Sequence, residues 1–418
     1  MAPASEASTS ATPTTTTAPL PSPPTQTFRS VDILVSKLRR RQVVGSREAA
    51  LETVRVLRQV VSKARFSNID QLVALIRHVG KRLVEAQPKE HTVGNTVRKI
   101  LHHVREEYNT ASKGLPTPTP TTTPSTAAPA PTSASSKGVF SIANFVLQGQ
   151  PSKQRIGYNK ASADGGAPSG LARSIENGAV AGDEHDPDAF AKSLKPVLME
   201  AIQDVLDELE TVYDNVSKNA KNHIHSDEII LTLGHSKTVE AFLKAAAHHR
   251  SYTVIVAETS PSYSGHEMAR SLSAAGISTF LVPDSSIYAI MSRVNKVLLG
   301  AHAILANGGM FAIAGSLLAA AAARVHRVPV VVCGGQFKFT PLWNLYHEFG
   351  ALDFADPSSV LGFKEGKLVG GEVEVLNPYY DYVGPEMVDV FITNDGDHPP
   401  SAVYRLIKET YDDEDHEL

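Results

Sequence analysis

Apolar positions along this chain fall into two regimes. Up to about residue 222 they recur at helical spacing. Leu51, Val54, Leu57, Val61 and Ala64 line one face of a segment that Ser46 is placed to cap. Ile69, Leu72, Val73, Ile76, Val79 and Leu83 form a second stripe, in SNIDQLVALIRHVGKRL. Thr92 opens a third, along which Val93, Val97, Ile100, Leu101, Val104 and Tyr108 align. Between Leu194 and Asn222, Leu198, Ile202, Val205, Leu209, Val212 and Val216 alternate steps of four and three, which suits a long helix in a bundle. From about His223 the runs become short and β-rich: Ile229–Leu233, Thr253–Ala257, Ile277–Val282, Lys296–Gly300 and Pro329–Cys333. Helical segments alternate with them, at Lys237–His249, Gly265–Ala275 and Ala312–Val325. Strands without internal polar alternation, separated by helices, predict a parallel sheet covered on both faces. An apolar run at Met387–Thr393 and a helix near Ser401–Tyr411 complete the pattern. The expected class is α/β: an N-terminal helical bundle domain over 29–222, then a Rossmann-like, doubly wound, mostly parallel sheet domain over 223–418.

Proline placement divides the helical part. Six prolines fall within residues 1–24 and six more from Pro116 to Pro131, in PTPTPTTTPSTAAPAP. Such runs lack apolar anchors and favour extended, solvated backbone, so 1–28 is expected as a disordered tail and about 112–138 as a low-complexity insertion. A Gly/Ser/Ala-rich stretch over about 151–190 is expected as another insertion. The tail has no apolar core and no Arg before Arg29, so it does not read as a signal or transit peptide. Asp415-His416-Glu417-Leu418 has the wrong order for an ER-retention tetrapeptide.

A net charge of −4 argues against a generic nucleic-acid binder, which is usually strongly basic. No run approaches the roughly 20 apolar residues of a membrane span. One cysteine, Cys333, excludes an internal disulfide and a CxxC site, and within VVVCGG it reads as a buried structural thiol. A cytosolic setting fits. Chemistry is sparse. Asn307-Gly308-Gly309 followed by Gly315 does not satisfy GxGxxG, and no GxxxxGK[ST] occurs, so turn and packing roles are expected there. His223 and His225 stand two apart without a third ligand, and HExxH is absent. Ser236 and Ser264 lack a GxSxG context. Glu200, Asp204, Asp207, Glu208 and Glu210 read as a solvated helix face, and DDEDHEL as a solvated acidic tail. No cofactor and no metal is expected.

Longer segments carry a resemblance. IRHVGKRLVEAQPKEHTVGNTVRKILHHVREEY, IHSDEIILTLGHSKTVEAFLKAA, VIVAETSPSYSGHEMA, MSRVNKVLLGAHAILANGG and NPYYDYVGPEMVDVFITNDG resemble the alpha/beta/delta regulatory subunit family of translation initiation factor 2B. The closing YRLIKETYDDEDHEL resembles the beta branch of that family. Methylthioribose-1-phosphate and ribose-1,5-bisphosphate isomerases are relatives of it. The resemblance implies that the isomerase cysteine position is Gly234, that the GAD aspartate is His302 in Gly300-Ala301-His302, and that ETRP has become Glu258-Thr259-Ser260-Pro261. With Asn307, these residues mark a vestigial pocket. Acid–base work needs a titratable group in place, so no catalytic residue is expected.

The resemblance further implies a non-catalytic subunit of the guanine nucleotide exchange factor for translation initiation factor 2. Its expected partners are the alpha, gamma, delta and epsilon subunits, in a decamer that senses phosphorylation of the substrate's alpha subunit. An active isomerase and a non-catalytic sugar-phosphate or nucleotide sensor are the alternatives. Asp227, Ile229, Thr253, Ile255, Phe280 and Val282 are the expected subunit interface, because alternate strand residues share a face. Arg77, Lys81, Arg82, Arg98, Lys99 and Arg105 avoid the apolar stripes of two successive helices and are the expected docking face for the substrate's alpha subunit. No membrane and no direct nucleic-acid partner is expected.

Overall fold

The computed structural model describes residues 25–66, 68–113, 187–343, 353–366 and 373–418. The expected insertions lie outside the described residues, except that 112–113 end one helix and 187–190 begin another. Among the described residues, six helices precede the first strand: α1 (Thr25–Arg39), α2 (Ser46–Lys63), α3 (Ile69–Ala86), α4 (His91–Lys113), α5 (Pro187–Ser217) and the short α6 (Ala220–His223). The apolar stripes read from the sequence are buried, including Leu57, Ile76, Leu83, Ile100, Leu101 and Leu198. α1 begins inside the segment assigned to the tail, because Val31, Leu34 and Leu38 supply one more buried stripe. Asn68, in extended backbone, caps α3 by accepting the Asp70 N–H. Ser46 does not cap α2. Gly45 occupies the cap at φ +98°, which favours glycine, and the Ser46 hydroxyl turns to His302.

The second regime builds β1 (Ile229–Leu233), α7 (Lys237–Ala247), β2 (Thr253–Ala257), α8 (Ser264–Ala274), β3 (Ser278–Val282), α9 (Ile287–Ile290) and β4 (Lys296–Gly300). These are followed by β5 (Ala303–Leu305), β6 (Met310–Ile313), α10 (Ser316–His326), β7 (Val330–Cys333) and β8 (Phe339–Thr340). Last come β9 (Tyr380–Val383), β10 (Val390–Ile392), β11 (Asp397–His398) and α11 (Val403–Thr410). Seven strands form one sheet in the order β11-β10-β7-β4-β1-β2-β3, parallel except for the β10–β11 pair. Strand alternation splits the core. Ile230, Val254, Leu298, Val331 and Ile392 pack towards the bundle, α7 and α8. Leu231, Val297, Leu299, Val332 and Phe391 pack towards α9, α10 and α11. The first cluster runs without a break from the bundle into the sheet.

A second sheet, β8-β5-β6-β9, was not expected. Ala312 and Ile313 pair with Asp381 and Tyr380, so they belong to a strand and not to the start of a helix. The Asp381 carboxylate accepts the N–H groups of Gly315 (2.7 Å) and Leu317 (3.1 Å) and so caps α10 from 65 residues away in sequence. No helix among the described residues is long and apolar enough to cross a membrane.

Candidate functional site

A cavity of about 580 Å³ opens where the N-termini of α2 and α7 meet the ends of β1 and β4. The carboxyl ends of parallel strands are where open α/β sheets hold ligands. His302 lines it. Its Nε2 donates to the Lys89 carbonyl (3.1 Å), which leaves Nδ1 of the neutral ring to accept from the Ser46 hydroxyl (3.2 Å). Its ring stacks on Tyr380, with centroids 4.0 Å apart. Both nitrogens are therefore occupied by the bundle, and the imidazole acts as a tie between α2, the α3–α4 loop and β9.

The other pocket positions separate. Gly234 adjoins the cavity at φ +63°, and a Cβ there would come within 2.9 Å of Ile313 Cδ1, so any side chain is disfavoured. Ser260 does not line the cavity. Its N–H and that of Thr259 point to the Asp284 carboxylate, at 2.6 and 2.9 Å. Asn307 is also outside it, at the β5–β6 turn, where its oxygen accepts the Gly309 N–H and its amide donates to the Tyr382 hydroxyl.

Three cavity groups escaped sequence reasoning. Lys338 is buried and donates to the Ala301 carbonyl (2.6 Å); desolvation lowers its pKa to about 8, against the opposing charge of Glu90. Arg47 lies over the Tyr213 ring and donates to the Leu209 and Glu210 carbonyls at the α5 backbone. His235 pairs with Glu240, whose carboxyl also receives Lys244 and Ser271; burial opposes this, yet those hydrogen bonds bring its pKa down to about 2. No local motif announces any of these: Lys338 and Arg47 depend on distant carbonyls, and His235 with Glu240, five residues on, forms no motif of its own. Cys333 is fully buried and desolvation raises its pKa. His223 faces the Asp397 carboxylate at 3.0 Å, and no group of three His, Cys, Asp or Glu suited to a metal occurs among the described residues.

The strand surface is brought together as register requires. Ile229 lies beside Thr253, and Ile255 beside Phe280, while Val282 pairs with Ala257. Asp227 sits just before β1, exposed, at φ +64°. Phe280 is 59% exposed at the sheet edge, and Tyr288 on α9 and Val325 on α10 are also exposed. Phe280 shares the sheet face of Ile255, which packs towards α9 and α10.

The basic residues behave otherwise. Arg98 is buried, so it is not a surface residue as expected from the helix pattern; desolvation lowers its pKa, and it donates to the Asp415 and His416 carbonyls. Arg77 and Arg105 pair with Asp415, Arg105 also with Asp412, Lys99 with Glu208 and Arg82 with Asp32. Lys81 remains exposed. The acidic C-terminus is thus not simply solvated, because Asp415 is fully buried.

Known proteins resemble the chain over nearly its whole length. Translation initiation factor eIF2B subunit beta of Schizosaccharomyces pombe is 41% identical over 392 residues, 93% of this chain and 97% of that protein. The crystal structure of eIF2B beta from Chaetomium thermophilum superposes with a TM-score of 0.65 at 26% identity, covering 94% of each chain. A chain of the tetrameric eIF2B-beta2-delta2 complex from that organism gives 0.61 at 26%, covering 92% of this chain and 95% of its own. The ribose 1,5-bisphosphate isomerase of Pyrococcus furiosus is 29% identical over 258 residues, 62% of this chain and 78% of the enzyme. The model of the Initiation factor 2 subunit family matches residues 42–400, helical bundle and sheet alike, and the chain belongs to that family.

Proposed function

We propose that this chain is a regulatory, non-catalytic subunit of the guanine nucleotide exchange factor for translation initiation factor 2. The observation that carries this reading is the end-to-end match to a beta subunit, 93% of this chain against 97% of the other, where the isomerase match stops at 62%. The cavity supports it, because His302 is engaged on both nitrogens and Gly234 carries no side chain. An acid–base group must reach the proton it moves, and neither position offers one.

The patch around Ile229, Thr253, Ile255, Phe280 and Val282 would meet a delta-type subunit, the partner named for the fungal tetramer. Alpha, gamma and epsilon subunits would complete a cytosolic assembly. Contact with the alpha subunit of translation initiation factor 2 would fall on the helical bundle, where Lys81 and Arg82 retain exposure. Exchange itself and the sensing of phosphorylation would belong to the assembly.

Affinity capture of the full chain from native lysate, with identification of stoichiometric partners, tests the reading. Recovery of the other four subunit types is expected. Recovery of the chain alone, together with turnover of ribose 1,5-bisphosphate or methylthioribose 1-phosphate, would overturn it.

A further inference from the structure

The last eight residues do more than end the chain. Tyr411 is buried in the cluster beneath α11, and its hydroxyl donates to the Phe339 carbonyl (2.9 Å). Leu418 packs against the other cluster, that of the bundle. The segment between them therefore crosses from one hydrophobic core to the other, and its crossing is polar.

Three guanidiniums on α3 and α4 receive it. Asp415 accepts Arg77 Nε at 2.6 Å and Arg105 Nη2 at 3.2 Å on one oxygen, and Arg105 Nη1 on the other. Asp412 takes Arg105 Nη1 at 2.5 Å and faces His102 Nδ1 at 3.1 Å. Backbone carbonyls add to this: Glu414 accepts Arg77 (3.1 Å), Asp415 accepts Arg98 Nε (2.9 Å) and His416 accepts Arg98 Nη2 (2.9 Å). The Glu414 carboxylate lies 3.6 Å from both Arg77 and Arg105. The arginines thus meet carboxylates and carbonyls in a fixed order, not a diffuse field of negative charge.

We propose that residues 412–418 are a releasable internal ligand, an acidic strap seated on an arginine site built by Arg77, Arg98 and Arg105, that fastens α3–α4 to the sheet half. Exposure makes it releasable, because the Asp413 and Glu414 side chains lie in solvent on its outer side. One feature gives it weight: Asp415 is buried, and a buried carboxylate holds only while its cations do. What the site accepts in cis defines what it accepts in trans. That is an acidic peptide folded into one 3-10 turn, with carboxylates three residues apart, as Asp412 and Asp415 are.

Hydrogen exchange on the purified full chain tests the strap. Deletion of 412–418, and separately Asp415→Asn, should each speed amide exchange across 69–113 by about tenfold or more while β1, β2 and β4 stay protected. About 1 M salt should screen the exposed pairs of Asp413 and Glu414 but leave buried Asp415 seated, so it should speed exchange across 69–113 in the unaltered chain by less than either alteration does. Adding a free peptide of residues 412–418 to the deleted chain should restore protection, and a scrambled peptide of the same composition should not. Unchanged exchange across 69–113 would overturn the proposal. So would loss of protection throughout the chain, which would make the segment core, and so would a scrambled peptide as effective as the true one.

Discussion

At the scale of single residues, Glu240 is the clearest carrier of pH dependence. Its carboxyl serves His235, Lys244 and Ser271 at once, and its pKa falls to about 2 from the ordinary 4.5. A carboxyl depressed on folding contributes stability that is present above its unfolded value and lost as pH falls through the folded one. The window is therefore from about pH 4.5 down to about 2. The thermal midpoint of Glu240→Gln should be lower at neutral pH and vary less with pH across that window; equal slopes for both proteins would contradict this. His302 makes a different prediction. Replacement by Ala removes ties to Ser46, Lys89 and Tyr380, leaves the Lys89 carbonyl without its donor, and should cost about 1–3 kcal/mol in denaturant unfolding. His302→Asp should cost at least as much, since a carboxylate facing a carbonyl repels it. The identity of His302 was visible in the sequence as a departure from GAD, but its role was not, because its hydrogen-bond partners lie more than 200 positions away.

Among elements, those with dense periodic patterns were legible and those set by distant pairing were not. The stripes of α2 to α5 and the runs of β1, β2, β4 and β7 match their observed spans closely, because each stripe or run is buried on the face that its spacing defines. The segment from Ala312 failed for a reason. Alanine-rich sequence favours helix, but pairing with β9 claims Ala312 and Ile313, and Asp381 fixes where α10 begins. The expected exposure of Arg98 failed likewise. Avoiding an apolar stripe does not make a side chain exposed when another segment of the chain covers that face, as the acidic C-terminus covers Arg98. Close packing gives the prediction at this scale. A Cβ at Gly265 would lie 2.0 Å from the Ala257 carbonyl oxygen, where β2 meets the start of α8. Backbone cannot yield as a side chain does, so Gly265→Ala should destabilise by about 1–3 kcal/mol, read as a lower urea midpoint with an unchanged slope. An unchanged midpoint would mean that α8 is free to shift.

Over the whole molecule, the sheet and bundle share one continuous core, so the bundle is positioned rigidly enough to present a surface of its own. The cavity between them holds His302, Lys338, Arg47 and His235 in internal bonds, whereas the α9–α10 side leaves Phe280, Tyr288 and Val325 in water. Exposed aromatic and aliphatic groups of this size on one side mark an association surface. The proposed place where the chain acts is this face, and not the cavity. Its most direct test is co-expression of the chain with a delta-type subunit and measurement of the complex mass by native mass spectrometry, for the unaltered sequence and for Phe280→Asp. Desolvating an unpaired carboxylate costs several kcal/mol, or a loss of roughly a hundredfold or more in affinity. The account predicts a hetero-oligomer with the unaltered chain and separate, folded subunits with Phe280→Asp. A hetero-oligomer of the same mass and yield from Phe280→Asp would contradict it.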